Sequence, residues 1–203
     1  MPGKHPLGVA IVVASLLFAG CSPAPESPPA ADSESETPKA EEAAPEPEEI
    51  KVYDLVKEDI TQIPDLTSRN LSVMGVKLGD RTAEVNQNKQ LGKSLATTPV
   101  GGLYRSAYQE RGIYLDIDKQ SGKVVTIYVN TTLARKVKGR FRSILRRGNL
   151  ELFKKMFGPE PRRLRPDLQT TSWRYPRKGV ELIQTRSGEQ RTYTFKLVRP
   201  RRG

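Results

Sequence analysis

Hydrophobic positions recur along this chain with two different periods, one typical of helices and one typical of strands. Leu150, Phe153 and Phe157 share one helical face, and Asn149 before them belongs to the residue types that cap helix N-termini. Between 113 and 117, apolar and polar residues alternate instead, as they do in a half-buried strand. The pattern therefore predicts a mixed α+β domain.

Two segments of the chain repeat the same order of features. A helix over 81–91, with Asp80 as its N-cap, ends before Gly92, and a helix over 150–157 ends before Gly158. Three short strand-like runs follow each glycine, with a Ser-Gly turn between the last two. The glycine spacings agree closely, with 20 residues from Gly92 to Gly112 against 21 from Gly158 to Gly179. We therefore predict two tandem repeats, each a helix followed by a three-stranded antiparallel meander.

Two further segments complete the predicted domain. Residues 50–74 precede the repeats, and their apolar positions indicate a short helix or strand packed on the first repeat. Residues 133–147 are predicted to form a basic amphipathic helix that links the repeats. Its predicted buried face consists of Leu133, Val137, Phe141, Ile144 and Leu145. The predicted organisation is an N-terminal segment with the first repeat over 50–132 and the linker helix with the second repeat over 133–203.

The first twenty residues have the zones of an export signal, with basic Lys4 followed by an apolar run over 7–18. This run is shorter than the roughly 20 residues that a membrane-spanning helix needs. It ends in Leu17-Phe18-Ala19-Gly20-Cys21, which resembles the lipobox of bacterial lipoproteins. The resemblance implies that 1–20 is removed and that Cys21 carries diacylglycerol and palmitate. The alternative is an ordinary secretory signal with an incidental cysteine.

The resemblance also implies a cellular location. Ser22 follows the cysteine where such lipoproteins often carry Asp when they stay in the inner membrane. We therefore expect an extracytoplasmic protein, in the outer membrane and facing the periplasm if the cell has one. Residues 21–49 are rich in Pro, Ala and Glu, with nine acidic residues against one base, Lys39. Such a composition predicts a disordered tether, and its residues 22–49 reach at most about 87 Å at about 3.1 Å per residue.

Charge is divided unequally along the rest of the chain. The formal net charge is +11, and residues 131–203 carry 21 Lys and Arg against 5 Asp and Glu, whereas 50–130 carry 11 against 9. A field of this sign attracts anionic partners, so we predict a basic binding patch in the second half. The patch comprises Arg140, Arg142, Arg146, Arg147, Arg162, Arg163 and Arg165.

Several partners would fit such a patch: an acidic envelope protein, an anionic envelope polymer, or lipid headgroups at the membrane that holds Cys21. Export makes nucleic acid an improbable ligand. Two alternatives remain open: a solvated face without a ligand, and a patch partly neutralised by the chain's own acidic tether.

The chain offers few groups for catalysis. His5 and Cys21 are the only histidine and cysteine, so the mature domain lacks the side chains for serine–histidine or cysteine–histidine catalysis and for His- or Cys-based zinc sites. Asp116 and Asp118 precede Gly122 at a spacing unlike that of a calcium loop and predict a polar hairpin. Glu110 and Asp116 are a candidate acid pair for glycoside hydrolysis, but no other feature of the sequence supports that reaction. We predict no enzymatic activity, no cofactor and no metal.

The repeats also resemble a known superfamily. Leu78-Gly79-Asp80 and Leu91-Gly92 carry the match in the first repeat, and Phe157-Gly158-Pro159 and Trp173-Arg174-Tyr175 carry it in the second. This superfamily includes the SmpA/OmlA lipoprotein of the outer-membrane barrel-assembly machine and the β-lactamase-inhibitor protein, which work by binding other proteins. The resemblance implies a non-enzymatic protein-interaction or assembly module, with an anionic polymer or lipid binder as the alternative.

Overall fold

A computed structural model describes residues 50–201. The predicted signal peptide, the lipidation site at Cys21 and the tether lie outside the described residues. In the part of the chain that is described, no helix has the length and apolar character needed to cross a membrane.

The described residues form short helices and a large antiparallel sheet. The helices are α1 (Thr82–Gln87), α2 (Phe141–Arg147) and α3 (Leu150–Phe157). The strands are β1 (Tyr53–Asp54), β2 (Leu71–Ser72), β3 (Ala96–Val100), β4 (Leu103–Tyr108), β5 (Ile113–Asp118), β6 (Val124–Asn130), β7 (Arg162–Leu164), β8 (Thr170–Tyr175), β9 (Val180–Ser187) and β10 (Gln190–Val198). Three single turns of 3-10 helix cover Ile60–Gln62, Gln109–Arg111 and Leu133–Arg135.

Eight of the strands form one sheet in the order β3-β4-β5-β6-β10-β9-β8-β7. Each half of the sheet is a meander, and the last strands of the two meanders, β6 and β10, pair antiparallel at the centre. Tyr128 of β6 lies directly opposite Lys196 of β10. The predicted α+β class is confirmed, and one continuous sheet joins the segments 50–132 and 133–203.

The predicted meanders of three strands are wrong, because each has four. The two strands that the sequence pattern missed, β3 and β7, lie at the two edges of the sheet. All five residues of β3 are exposed, and β7 contains two exposed arginines. Since neither strand buries one of its faces, neither shows the apolar alternation on which the prediction depended.

Two predicted helices are shorter than expected. The helix predicted over 81–91 begins after Arg81, not after Asp80, and ends at Gln87. It ends there because Asn88 turns its side chain back onto the backbone, where Oδ1 accepts a hydrogen bond from the N–H of Gln90 at 2.9 Å. The linker helix predicted over 133–147 is divided into a 3-10 turn and α2.

The break in the linker lies at Gly139, whose backbone is left-handed with φ of +66°. The five linker residues predicted to be buried all have exposures of 1% or less. The prediction for α3 is confirmed, with Asn149 Oδ1 accepting a hydrogen bond from the N–H of Leu152 at 3.0 Å.

The core lies between one face of the sheet and the helices α2 and α3. Phe141 meets Phe195 of β10 edge to face with ring centroids 5.1 Å apart, and Phe153 of α3 lies 5.4 Å from the ring of Tyr175. Such aromatic contacts add roughly 0.5–1.5 kcal/mol each to the burial of apolar area. Because side chains alternate along a strand, residues such as Lys196 lie on the opposite face, which we call the outer face.

The N-terminal segment is attached to the far end of the second meander. β1 and β2 pair in parallel beside the main sheet. The Ser68 hydroxyl donates to the carbonyl of Val198 at 2.6 Å, and its N–H donates to the carbonyl of Lys178 at 2.8 Å. These bonds hold the end of β10 next to the turn between β8 and β9.

Candidate functional site

Four of the seven arginines predicted to form the basic patch lie together on the helical side of the domain. They line a groove of about 610 Å³ between α2 and α3, which we call the helical groove. Its lining residues are Gly139, Arg140, Arg142, Ser143, Arg146, Arg147, Asn149, Glu151, Leu152 and Lys155.

A tight corner between the two helices shapes this groove. Gly148 ends α2 in a left-handed conformation with φ of +63°, which favours glycine. Asn149 then caps α3 and also donates from Nδ2 to the hydroxyl of Ser143 at 3.3 Å. The corner places the basic last turn of α2 beside the first two turns of α3.

The helical groove is strongly positive. Five cations line it, and its one carboxylate, Glu151, accepts a hydrogen bond from Lys154 at 3.1 Å on the same helix. Within residues 50–201, the four arginines of the groove form no ion pair. Their guanidinium groups therefore face solvent with hydrogen-bond donors available to an anion.

The other three predicted arginines lie elsewhere. Arg163 and Arg165 line a groove at the edge strand β7, together with Arg186; we call it the edge groove. Arg162 pairs with Arg174 of β8 and shares its outer face. The seven arginines therefore line three separate grooves and not one patch.

Arg162 contributes to a third groove of about 530 Å³ on the outer face, which we call the sheet groove. The residues lining it are Val125, Thr126, Arg162, Leu164, Arg174, Tyr175, Pro176, Val180, Glu181, Lys196, Val198, Arg199 and Arg201. It contains five cations and one carboxylate, so it is as strongly positive as the helical groove.

Ion pairs between a buried carboxylate and a partly exposed arginine cross the outer face. Arg105 of β4 donates from Nε and Nη2 to the two carboxylate oxygens of Asp116 on β5, at 2.7 and 2.9 Å. The Tyr128 hydroxyl donates to the same carboxylate at 2.9 Å. Burial and the nearby carboxylate raise the pKa of Tyr128 to about 12, and the hydrogen bond to Asp116 raises the pKa of Arg105. Both shifts favour the protonated forms of Tyr128 and Arg105, so these two side chains keep their protons across the physiological range.

A second carboxylate, Glu181 on β9, occupies a comparable place in the other half of the sheet. Arg174 Nε donates to its Oε1 at 2.6 Å, and Lys196 Nζ lies 3.7 Å from its Oε2. The side chain of Glu181 is only 5% exposed. Separating this buried carboxylate from its cations would cost free energy, because its charge would be left unpaired. Glu181 therefore holds Arg174 and Lys196 in place.

The two buried carboxylates do not form an acid–base pair. Asp116 on β5 and Glu181 on β9 are separated by β6 and β10, which places their strands about 14 Å apart at roughly 4.8 Å per strand. Glycoside hydrolases hold their catalytic carboxyl groups about 5–9.5 Å apart. Glu110, the other acid of the candidate pair, is exposed, and Asp116 is bound to Arg105.

Sequence reasoning missed the outer-face pairs and the sheet groove. The sequence contains one indication of these pairs. Asp116 and Glu181 each place a charge within an apolar run that is predicted to be a half-buried strand, and a buried charge needs a partner. Their partners could not be named without the register, which sets Arg105 opposite Asp116 and Arg174 opposite Glu181.

No protein-family model matches this chain, and no curated protein or solved structure matches it either. The grooves and their charges are therefore the basis for assigning a function.

Proposed function

We propose that this protein is a lipid-anchored envelope protein that binds an acidic segment of a partner protein in its helical groove and catalyses no reaction. The observation that carries the proposal is the charge of this groove, which has five cations against one carboxylate that is already bonded to Lys154. Opposite charge on a partner would speed association and select against basic competitors.

A protein segment fits the helical groove better than a lipid surface does. A bilayer is flat on the scale of this groove, whereas an extended acidic chain can enter it. Proteins that lie on membranes usually add apolar side chains to their positive charge. Among residues 50–201, none of the exposed large apolar side chains, which are Ile50, Leu95, Val100, Tyr104 and Leu168, lines the helical groove. Anionic lipids and envelope polymers are the alternative ligands.

The side chains that remain in the mature chain support the proposal that it is not an enzyme. The mature chain would lack histidine, and its one cysteine, Cys21, would carry the lipid. The two buried carboxylates are bonded to Arg105 and Arg174. A general base needs a proton acceptor within reach of a substrate, and neither carboxylate is available for that role.

The two halves of the sheet are, on this proposal, copies of one unit. Supporting it, the N–H of Asn130 bonds the carbonyl of Gly112 at 2.9 Å, and the N–H of Val198 bonds the carbonyl of Gly179 at 2.8 Å. The resemblance to the SmpA/OmlA and β-lactamase-inhibitor-protein superfamily agrees with this arrangement and with a protein-binding role. An experimental structure in which Gly112 and Gly179 do not superpose would rule the duplication out.

The anchor gives the first prediction. Cys21→Ser should abolish incorporation of radiolabelled palmitate and shift the protein from the membrane pellet to the soluble fraction or leave it unprocessed, because the thiol that receives the lipid is gone. Cys21 is the only cysteine in the chain, so no second site can substitute. Unchanged labelling and membrane retention of the variant would refute the lipoprotein assignment.

The groove gives the second prediction. Photoreactive benzoylphenylalanine in place of Glu151, which lines the helical groove, should cross-link in living cells to a protein whose attached peptide is rich in Asp and Glu. Glu151 is chosen because replacing it removes no positive charge from the groove. Mass spectrometry of the adduct identifies the cross-linked peptide.

The control carries the same probe in place of Glu160, which is exposed and lines none of the helical, sheet and edge grooves. We expect a far weaker adduct from this position. Equal adducts from both positions, adducts with lipid or polysaccharide alone, or an adduct with the chain's own segment 22–49 would contradict the proposal.

A further inference from the structure

The sheet groove lies on the opposite side of the sheet from the helical groove and has the features of a second anion site. It is lined by Arg162, Arg174, Lys196, Arg199 and Arg201, with Glu181 as its one carboxylate. Counting these side chains gives a net charge of +4. Its volume of about 530 Å³ lies in the range of roughly 300–1,000 Å³ that is usual for small-molecule pockets.

Two of the cations are held in position by a buried carboxylate. Glu181 is bonded to Arg174 through Nε at 2.6 Å and lies 3.7 Å from the ammonium group of Lys196. This bond leaves the two Nη groups of Arg174 available as donors. Within residues 50–201, Arg162, Arg199 and Arg201 form no ion pair, so the groove has more donors than its own acceptor can use.

The backbone that carries the other cations is also fixed. The N–H of Arg201 donates to the carbonyl of Pro176 at 2.9 Å, and the N–H of Val198 donates to the carbonyl of Gly179 at 2.8 Å. Ser68 binds the carbonyl of Val198 at 2.6 Å. Arg199 lies between two anchored residues, which reduces the entropy lost when a ligand binds.

The charge and donor types favour phosphate over carboxylate. Guanidinium groups bind phosphate and carboxylate oxygens in pairs, but a single carboxylate would offset only one of the four net positive charges. A phosphate monoester carries about −1.5 to −2 at pH 7 and three acceptor oxygens. Leu164, Pro176 and Val198 provide apolar walls for the organic part of such a ligand.

We propose that the sheet groove binds the phosphate or pyrophosphate group of a small phosphorylated ligand, with Arg199 and Arg201 as its main contacts. The ligand could be a soluble phosphate ester or the headgroup of a phosphorylated lipid, and both offer the same group to the arginines. This site is independent of the helical groove and of the proposed protein partner.

The test measures binding of inorganic pyrophosphate and glucose 1-phosphate to the full-length lipoprotein in nonionic detergent by isothermal titration calorimetry. Arg199→Gln/Arg201→Gln should weaken binding at least roughly tenfold, because each change removes charged hydrogen bonds. The matched control is Arg163→Gln/Arg165→Gln, which removes the same charge from the edge groove and should change binding less than about twofold.

A second arm identifies the source of the phosphate. Water-soluble dihexanoyl phosphatidic acid and dihexanoyl phosphatidylcholine are titrated into the same protein; binding of the phosphatidic acid alone, tighter than that of glucose 1-phosphate and lost in Arg199→Gln/Arg201→Gln, would assign a lipid ligand. Binding of glucose 1-phosphate that is tighter than that of the phosphatidic acid would assign a soluble ester. Equal weakening in both variants, or no binding of any of these probes by the wild type, would overturn the proposal. Arg199 and Arg201 are exposed, so their replacement should leave the thermal midpoint nearly unchanged, which calorimetry checks.

Discussion

Gly179→Ala is expected to lower the free energy of unfolding by about 3 kcal/mol or more. Gly179 has φ of +67°, and an added Cβ would lie 2.2 Å from both the carbonyl oxygen of Val198 and the hydroxyl of Ser68. The backbone of β10 cannot move away from the added Cβ without breaking the hydrogen bonds of Val198 to Ser68 and Gly179. The free-energy cost of this clash therefore adds to the cost of placing alanine in a left-handed conformation. Urea denaturation of the wild type and the variant measures the difference.

Gly188→Ala is the matched control. Gly188 has a similar φ of +59°, but no atom lies within 4 Å of the position that its Cβ would take. It should therefore show only the conformational cost of about 1 kcal/mol. If the two variants lose the same stability, the close packing of Ser68, Gly179 and Val198 does not exist as described, and the anchoring of Arg199 would lose its support.

Local patterns predicted the parts of the fold that depend on local chemistry. Asn149 and the spacing of Leu150, Phe153 and Phe157 define α3, and the five apolar positions of the linker are all buried. Burial on one side produces a period in the sequence, and a period can be detected without the structure. The central strands were predictable for the same reason.

The parts of the fold that the sequence did not predict depend on contacts between distant segments of the chain. The edge strands β3 and β7 bury no apolar face and leave no period to detect. At Gly139 an added Cβ would lie 2.0 Å from Asp59. This contact is with a distant part of the chain, so the pattern of residues 133–147 does not indicate it. The predicted single basic patch is wrong for the same reason, since its arginines lie in three grooves that only the folded sheet defines. Arg162 and Arg163, for example, are neighbours in sequence but lie on opposite faces of β7.

The triple variant Arg142→Glu/Arg146→Glu/Arg147→Glu is expected to weaken binding of an acidic ligand at least roughly a hundredfold. The reversal replaces three of the five cations of the helical groove with carboxylates, so attraction becomes repulsion. All three side chains are exposed, and surface changes usually cost within about 0.5 kcal/mol each in stability. Circular dichroism and the thermal midpoint should show a folded variant.

The matched control reverses the same number of charges elsewhere. Arg163→Glu/Arg165→Glu/Arg186→Glu alters three exposed arginines of the edge groove and gives the same net charge. If binding depended only on the overall field of the domain, the two triple variants would lose affinity equally. A docking site confined to the helical groove predicts that the control loses less than roughly threefold, because its charges lie outside the contact and act only through screened long-range attraction.

Docking in the helical groove can be measured as the affinity of the full-length protein for fluorescein-labelled poly-L-glutamate, by fluorescence anisotropy in nonionic detergent at low and high salt. We expect tight binding by the wild type at low salt and weaker binding at high salt. The edge-groove variant should bind nearly as well as the wild type, and the helical-groove variant should lose at least roughly a hundredfold in affinity. Equal affinities of the two variants, or a wild-type affinity that does not change with salt, would contradict the claim that the helical groove is the docking site for an acidic partner.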